Sequence, residues 1–421
     1  MKSFKEMAKN LIFGKKGTLS NRRITFFLLF LNVITAAAVS IYIPCLKKMA
    51  IDLHTTSTVM QMTIVAHLIG EFSGRVLCGP IIELYGNRAV ILPSLMISIV
   101  GHLGCMISES SSMFMVMRFI QAIGSSVIYI ISQNIIGETF NEKEKSSVIG
   151  IFELYQPIAW ILSPFVGSIL TQISNWRVFF FLLALAHVVG LLFFWMYPAK
   201  ERQPVQKRFL ILKFLHEYAN LLKNYSFVIY ALIPGLFAGG YMIFATSSTL
   251  ICHKFFGNNS SVVAIFAAIP LFFYVFATFA YRIIVDKFGV VASRRIGTCV
   301  YGIFGIYIMY IAMHKSPWTP GILLTLMCLQ CVGSAFLVPV SVLKALQSAH
   351  NSTCAGALTV VIFRNIIMSI CITAAAKFNS SITTVMSCVF MTVATILLLM
   401  TTRKIIKTRA NRKRKRNGTI V

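Results

Sequence analysis

The sequence predicts an all-α integral membrane protein, with twelve transmembrane helices in two pseudo-symmetric six-helix bundles. Three observations predict this class: the composition, the recurrence of apolar runs long enough to span a membrane, and a motif that is repeated in the two halves. Of the 421 residues, 57% are apolar and 12% are charged, and the mean hydropathy is +0.78. Roughly a quarter of the residues of a soluble domain are charged, so we expect no soluble domain here.

Twelve apolar runs have about the 20-residue length that crosses a hydrocarbon core, and they are numbered here as spans one to twelve. They cover residues 24–45, 59–82, 89–107, 112–137, 146–171, 177–197, 226–251, 260–284, 293–313, 319–343, 354–376 and 382–402. Glycine, proline, serine and asparagine interrupt these runs, which is typical of helices that pack on one another or line a cavity.

Polar intervals divide the chain into five parts. These are a basic N-terminus at 1–23, an N-terminal bundle at 24–198, a linker at 199–225, a C-terminal bundle at 226–402 and a basic tail at 403–421. The linker segment FLILKFLHEYANLL has the apolar spacing of an amphipathic helix on the membrane surface. We prefer this to a thirteenth span because Lys213, His216 and Glu217 interrupt the segment.

The net charge of +27 comes from 39 basic and 12 acidic residues. In a soluble protein it would suggest nucleic-acid binding, but here it predicts topology, and we expect no nucleic-acid partner. With the N-terminus inside, about 30 of the basic residues fall on one side of the bilayer and about six on the other. This asymmetry predicts a multi-pass inner-membrane protein with both termini in the cytoplasm. The basic tail has two readings, as a topogenic solvated tail or as a lipid-headgroup or nuclear-type signal.

A repeated motif relates the two halves. GRVLCGPIIELYGNRAVIL follows span two, and AYRIIVDKFGVVASRRIG follows span eight. Each places an acid, Glu83 or Asp286, three residues before a glycine and a few residues before an arginine. Duplicated six-span halves with a site near the midplane are the plan of a large class of secondary transporters.

At these residues the chain resembles the major facilitator superfamily, whose loop motif has the general form G-x-x-x-[DE]-x-x-G-R-[RK]. Gly79, Glu83, Gly86 and Arg88 fill this motif, with Asn87 where a basic residue is common. Further matches resemble the twelve-span drug:proton antiporters, and most closely the bicyclomycin-resistance group of the Bcr/CflA type. These are RFIQAIGSS in span four, SPFVGS in span five and NWRVFF at the start of span six.

The resemblance implies a cytoplasmic latch. Glu83 would face span eleven, Arg88 would meet Glu138 at the end of span four, and Asp286 is the counterpart of Glu83 in the second half. Independently of the resemblance, Gly86 permits a tight turn in which a left-handed conformation would be costly for other residues.

The resemblance also implies an antiporter-type span five, in which Pro164 and Gly167 break the regular packing. Ser168 takes the place of one of the family's usual glycines, which departs from that signature.

Five charged residues lie within the spans, and each costs roughly 3 kcal/mol on an insertion scale. They are Glu71, Arg75, Arg118, Glu153 and Arg364. Five such costs together indicate function. By resemblance, Arg118 is the antiporter arginine, which influences the protonation of a nearby acid.

Many members of the efflux group have an acid in span one, where this chain has Ser40. A coupling proton would therefore bind Glu71 or Glu153. Glu71 can pair with Arg75, four residues on, or with Arg364 across the interface between the halves. We hypothesise that this choice distinguishes the inward-open from the outward-open state, although a static ion pair would fit equally well. Glu153 has two open readings, attraction of a cationic substrate or a carboxylate that reaches toward water.

An amphipathic substrate cavity is predicted from aromatic and amide residues near the span centres. Its candidate residues are Tyr42, Tyr155, Gln156, Trp160, Tyr241, Phe244 and Asn365. The embedded histidines His67, His102 and His187 are either proton carriers or hydrogen-bonded packing residues.

The predicted function is alternating-access secondary transport, as a proton-coupled efflux antiporter of small amphipathic molecules. Nutrient uptake or export of a metabolite such as a siderophore is the alternative. A membrane enzyme or receptor is disfavoured, because no cluster of metal ligands or activated nucleophile occurs at a recognisable spacing. We expect no cofactor and no metal, and we expect a monomer whose partners are a small-molecule substrate, protons and the lipid bilayer.

Overall fold

A computed structural model describes residues 19–139, 142–196, 218–256, 260–313, 320–349 and 353–377. Within these residues every regular element is a helix, as the sequence predicts. The helices are α1 (Leu19–Ser40), α2 (Leu46–Asp52), α3 (Ser57–Ile107), α4 (Ser111–Thr139), α5 (Glu142–Ile173), α6 (Arg177–Met196), α7 (Tyr225–Phe256), α8 (Ser260–Met313), α9 (Pro320–Ser348) and α10 (Thr353–Lys377). A short 3₁₀-helix, Ile43–Cys45, connects α1 to α2.

Eight helical segments of the described residues are long and apolar enough to cross a membrane. They correspond to predicted spans one to four, six, seven, eight and ten. Helices also occupy predicted spans five, nine and eleven, as α5, the second part of α8 and α10. Span twelve and most of the predicted linker helix lie outside the described residues, and residues 218–223 at the end of the linker are helical.

Two glycines turn the chain between successive spans at equivalent places in the two halves. Gly86 within α3 has φ 83°, and Gly289 within α8 has φ 78°. A side chain at either position would meet no atom within 4 Å, so the backbone conformation, and not crowding, is what favours glycine here. The predicted turn at Gly86 is therefore confirmed, and its repetition at Gly289 supports the duplicated architecture.

Small residues bring α3 and α4 into close contact in the N-terminal half. A Cβ atom on Gly70 would lie 2.8 Å from the Cβ of Ala122, and one on Gly74 would lie 3.0 Å from the Cα of Ile123. Within the bilayer no hydrophobic effect drives helices together. Close packing of their backbones is therefore a main source of their association. This packing sets the rotation of α3 about its axis, and so it sets the direction in which the side chain of Glu71 points.

The two halves pack together at one end of the bundle, and they also contact each other at mid-depth. The end at which α1 begins is named the basic end, after the predicted basic segments, and the opposite end is named the far end. At the far end one buried apolar cluster includes residues of both halves, among them Ile41, Trp176 and Leu271. Ser261 of α8 also accepts a hydrogen bond from Gln172 Nε2 at 2.9 Å.

At the basic end, each apolar cluster that the structure describes belongs to a single half. One includes Leu28 and Ile82, and the other includes Phe227 and Val360. The described conformation is therefore closed between the halves at the far end, with a site at the mid-depth of the bundle.

Candidate functional site

Glu71 lies on α3 at the interface between the halves, and its side chain is 8% exposed. Its Oε1 accepts a hydrogen bond from Nη2 of Arg75 at 3.1 Å, which is the i,i+4 pair predicted from the sequence. Its Oε2 accepts a hydrogen bond from Nδ2 of Asn365 on α10 at 2.7 Å. One carboxylate therefore joins a partner in its own half to a partner in the other half. The contact also confirms that spans two and eleven adjoin.

Arg364 makes a different contact from the one hypothesised. Its Nη1 donates to Oε1 of Gln156 on α5 at 2.8 Å, while Asn365 takes the place beside Glu71. Successive residues of an α-helix project about 100° apart, so Arg364 and Asn365 face different neighbours across the interface. In the described conformation Glu71 pairs with Arg75, and the alternative pair of Glu71 with Arg364 is not formed.

Both contacts border a cavity between the halves. Its lining residues are Asn32, Thr35, Ala36, Val39, Leu68, Glu71, Arg75, Ser125, Tyr129, Tyr155, Gln156, Trp160, Arg364, Asn365 and Met368. They come from α1, α3, α4, α5 and α10, and they combine aromatic rings with amide, hydroxyl and charged groups. The cavity is narrow, with room for about one water molecule, so a larger substrate requires the halves to move apart.

Four of the seven predicted cavity residues line this cavity, namely Tyr155, Gln156, Trp160 and Asn365. The other three, Tyr42, Tyr241 and Phe244, are not among its lining residues in the described conformation, and their part in a substrate cavity stays a prediction.

Each of these three is buried by a neighbouring aromatic or polar group. Tyr42 lies beneath Arg118, whose Cζ is 4.8 Å from the ring centroid. Tyr241 stacks on Trp160 and donates its hydroxyl hydrogen to the carbonyl of Ala267 at 3.2 Å. Phe244 stacks on Phe266 within the C-terminal half.

Ser40 is buried where the resemblance would place an acid. Its Oγ lies 2.6 Å from Oγ of Ser163 on α5, so a pair of hydroxyl groups joins α1 to α5 at this point. The pair is neutral. Among the residues whose side chains the structure describes, Glu71 is therefore the only carboxylate that borders the cavity.

A second polar cluster lies inside the N-terminal half, around the fully buried Arg118. Arg118 donates to Oε1 of Gln121 at 2.5 Å and to the hydroxyl of Tyr42 at 3.5 Å. Gln121 Nε2 lies 3.0 Å from Nε2 of His102, whose ring centroid is 4.7 Å from that of His187. Arg118 is thus a buried residue of the span, held by hydrogen bonds and aromatic rings, and it does not border the cavity.

Two of the three embedded histidines are bonded to their own helices. Nδ1 of His102 is 2.7 Å from the carbonyl of Ser98, and Nδ1 of His187 is 2.8 Å from the carbonyl of Leu183. These contacts favour the packing reading. His67 is fully buried, and its ring nitrogens have no hydrogen-bond partner within the described part of the chain.

The predicted latch is described only in part. Gly79 is buried and Gly86 forms the turn, while Arg88 is partly exposed. Next to it, Oδ1 of Asn87 accepts a hydrogen bond from Nδ2 of Asn134 on α4 at 3.3 Å, a contact that the sequence did not indicate. The side chains of Glu83, Glu138, Asp286 and Glu153 lie outside the described part of the structure, so their predicted roles remain predictions.

The helix α5 continues through Pro157 and Pro164 to Ile173. Gly167 lies against the carbonyl of Ile41, and a Cβ atom there would be 2.9 Å from the carbonyl carbon. The glycine therefore serves the close approach of α5 to the end of α1, next to the pair of Ser40 and Ser163.

Four polar lining residues were not selected from the sequence, namely Asn32, Thr35, Ser125 and Tyr129. Asn32 of α1 donates to Oγ of Ser132 at 2.7 Å. Asn32 lies within an apolar run and Tyr129 in the middle of span four. Both positions could have indicated a polar contact, since buried polar groups need partners.

Comparison with known proteins identifies the architecture. A model of the Major Facilitator Superfamily matches residues 28–371. The chain is 24% identical over 248 residues to the uncharacterized MFS-type transporter YdgK of Bacillus subtilis, covering 58% of this chain and 61% of that one. It is 21% identical over 327 residues to a bicyclomycin resistance protein homolog of Haemophilus influenzae, covering 76% of this chain and 79% of that one.

A third relative is the multidrug resistance protein MdtL of Escherichia coli, at 22% identity over 168 residues. That match covers 40% of this chain and 43% of the relative. The chain thus spans less than two thirds of YdgK and of MdtL.

Solved structures share the fold. A peptide transporter of the POT type superimposes with a TM-score of 0.72 at 14% identity, covering 90% of this chain and 94% of the other. The xylose transporter XylE of E. coli, in a partially occluded inward open conformation, gives a TM-score of 0.65 at 13% identity, covering 89% and 98%.

Proposed function

Because the chain belongs to the major facilitator superfamily, we propose that it is a proton-coupled secondary transporter that exports small amphipathic molecules by alternating access. The family and fold are those of multi-pass membrane transporters, and not of enzymes. Proton coupling, export and the residues involved are the proposed part.

The observation that carries the proposal is the position of Glu71. An ionised carboxylate buried between the halves is stabilised by Arg75 on one oxygen and by Asn365 of the opposite half on the other. Protonation removes the charge that holds the pair with Arg75 and weakens the hydrogen bond from Asn365. A proton on Glu71 thereby loosens a contact between the two halves, which is what coupling to alternating access requires.

The described conformation supports such a cycle. The halves are packed together at the far end and form separate apolar clusters at the basic end. With the basic end in the cytoplasm, as the charge asymmetry predicts, this is an inward-facing state. The same asymmetry supports an inner-membrane location with both termini in the cytoplasm.

The names of two relatives, a bicyclomycin resistance protein homolog and a multidrug resistance protein, support export. Uptake is the second candidate, and one observation favours it. The resemblance expects an acid in α1, and here Ser40 forms a neutral contact with Ser163. Substrate binding in this chain therefore depends on a different arrangement of charges from that of the efflux group.

Reconstitution tests the function. The purified full-length protein is placed in liposomes, and the flux of a panel of small amphipathic compounds is measured with and without a pH gradient. We expect at least one compound to move against its own gradient when protons flow the other way. Substrate flux that does not depend on the pH gradient would contradict proton coupling. Movement of the substrate in the same direction as the protons would favour uptake.

A further inference from the structure

The cavity between the halves carries an excess of positive charge. Its described ionisable residues are Glu71 on α3, Arg75 on α3, Tyr129 on α4, Tyr155 on α5 and Arg364 on α10. Glu71 forms an ion pair with Arg75. Arg364 is hydrogen-bonded to a neutral amide, that of Gln156, so its charge has no carboxylate partner among the described residues.

Among the lining groups that have no hydrogen-bond partner in the described part of the chain, donors outnumber acceptors. Within the described part of the chain, Nε and Nη1 of Arg75 and Nε of Arg364 have no acceptor. Nε1 of Trp160 is a fourth lining donor without an acceptor, and the described lining acceptors without a donor are Oδ1 of Asn365 and the hydroxyl of Thr35, which can also donate. Buried guanidinium nitrogens are costly to leave unpaired, so a ligand that brings acceptors would be favoured over one that brings donors.

Arg364 is held in place from two sides. Gln156 of the N-terminal half accepts its hydrogen bond at 2.8 Å. On its own side, α7 approaches closely at Gly235, where a Cβ atom would lie 3.1 Å from the Cα of Arg364. A guanidinium fixed in this way presents a planar set of donors that matches an oxyanion.

The remaining walls suit an apolar body. Tyr129, Tyr155 and Trp160 line the cavity together with Leu68 and Met368. Aromatic and aliphatic walls beside the Arg364 guanidinium suit an amphipathic molecule that carries a single polar head.

We propose that this cavity binds an amphipathic anion, such as a carboxylate, with Arg364 as the partner of the negative group. The inference rests on the proposed function as a transporter, and it names the class of substrate. Binding requires the narrow cavity to widen, as alternating access provides.

The sign of the charges has a consequence for coupling. An anion beside Arg364 disfavours a second negative charge on Glu71, so the anion favours protonation of Glu71. Linkage makes the effect reciprocal, and a proton on Glu71 tightens anion binding. We therefore expect the anion to bind more tightly as the pH falls.

The test measures binding of three matched probes to the purified full-length protein in nanodiscs. The probes are 4-phenylbutyrate, 4-phenylbutanamide and 4-phenylbutylamine, which share one apolar body and differ in the charge of the head. We expect the carboxylate to bind best. We expect Arg364→Gln to weaken carboxylate binding by roughly tenfold or more, Arg364→Lys to weaken it less, and the exposed Arg295→Gln to leave it unchanged.

Binding is then repeated across pH with Glu71→Gln. The wild type should bind 4-phenylbutyrate more tightly as the pH falls, and the variant should lose most of this dependence. All variants are compared by thermal unfolding, so that a misfolded Arg364→Gln is recognised, and Arg364→Lys then carries the comparison.

Several results would overturn the proposal. These are equal or better binding of the amine, unchanged carboxylate binding in Arg364→Gln, and binding of none of the probes. Carboxylate binding by Glu153→Gln but not by the wild type would also overturn the proposal. Such a result would mean that Glu153, three residues before Gln156, neutralises Arg364. Binding without any flux in liposomes would contradict the transporter function and leave anion recognition standing, whereas flux restricted to amines would contradict only the present inference.

Discussion

Glu71 divides its two carboxylate oxygens between the two halves of the protein. A buried charge is tolerated when its partners satisfy it, and removing one partner costs more than the pair itself contributes. Asn365 supplies the partner from the opposite half, at 2.7 Å. We therefore expect Asn365 to be as important for stability as Arg75, although the amide carries no charge.

Replacing Asn365 with leucine should destabilise the protein. The change leaves Oε2 of Glu71 without its described donor, and hydrogen bonds to charged groups contribute about 1.5–3 kcal/mol. We expect the apparent melting temperature in detergent to fall by several degrees. Ser369→Ala is the matched control, because the hydroxyl of Ser369 bonds only to its own helix, at the carbonyl of Asn365. Equal melting temperatures for the two variants would contradict the contact between the halves.

Replacing Arg118 with lysine tests the second polar cluster. A lysine ammonium cannot reproduce the planar guanidinium that reaches both Gln121 and Tyr42. We expect a lower melting temperature for Arg118→Lys, while Arg295→Lys, the same change at an exposed position, should have no effect. An unchanged melting temperature at residue 118 would mean that these hydrogen bonds contribute little.

Sequence reasoning at the residue scale succeeded where the relation is local. Glu71 and Arg75 are four residues apart on one helix, so their pairing follows from helical geometry. The partner across the interface was predicted one residue away from the observed one. Hydropathy does not determine the rotation of α10 about its axis to within about 100°, and that rotation decides whether residue 364 or 365 faces Glu71.

At the scale of elements, the glycine turns at Gly86 and Gly289 define how paired spans connect. Their positive φ is combined with ψ of 170° and 167°, a region that residues with a side chain rarely adopt, at a cost of about 1–3 kcal/mol. We expect Gly86→Ala and Gly289→Ala each to lower the melting temperature. Gly302→Ala is the control, since Gly302 also has open space around its Cα but lies in regular helix, where alanine is preferred. Destabilisation by all three changes alike would contradict this explanation.

Hydropathy predicted the existence and order of the helices better than their ends. Span one was expected to continue to residue 45, but α1 ends at Ser40 and a 3₁₀-helix containing Pro44 follows. Proline lacks the backbone N–H that helix propagation needs, so it favours such an interruption. Apolar character continues through the break, which is why hydropathy alone could not detect it.

At the scale of the whole molecule, alternating access requires the contact at the far end to open. Oγ of Ser168 on α5 and Oγ of Ser261 on α8 are 3.1 Å apart across this contact. The double variant Ser168→Cys/Ser261→Cys should form a disulfide under oxidation that holds the far end closed. We expect transport to fall several-fold after oxidation and to recover after reduction, with each single variant as a control for the native cysteines. Undiminished transport by the fully cross-linked protein would contradict movement at this end.

The fold could be predicted at this scale because the repeated loop motif and the order of the spans are properties of the chain itself. The cavity could be predicted only in part. Its lining comes from five helices, and Tyr241 and Phe244 have the same residue types and depth as the residues that do line it. Which aromatic residues face the cavity depends on how the two halves rotate against each other, and a single sequence does not encode that rotation locally.

Proton coupling through Glu71 is tested by a pair of flux measurements in liposomes, using a compound that the wild type transports. We predict that Glu71→Gln loses accumulation driven by a pH gradient, down to the level of protein-free liposomes, yet still exchanges substrate across the membrane at equilibrium. Glu109→Gln, which removes an exposed carboxylate between α3 and α4, should behave like the wild type in both measurements. Accumulation by Glu71→Gln equal to that of the wild type, at the same amount of reconstituted protein, would contradict the claim.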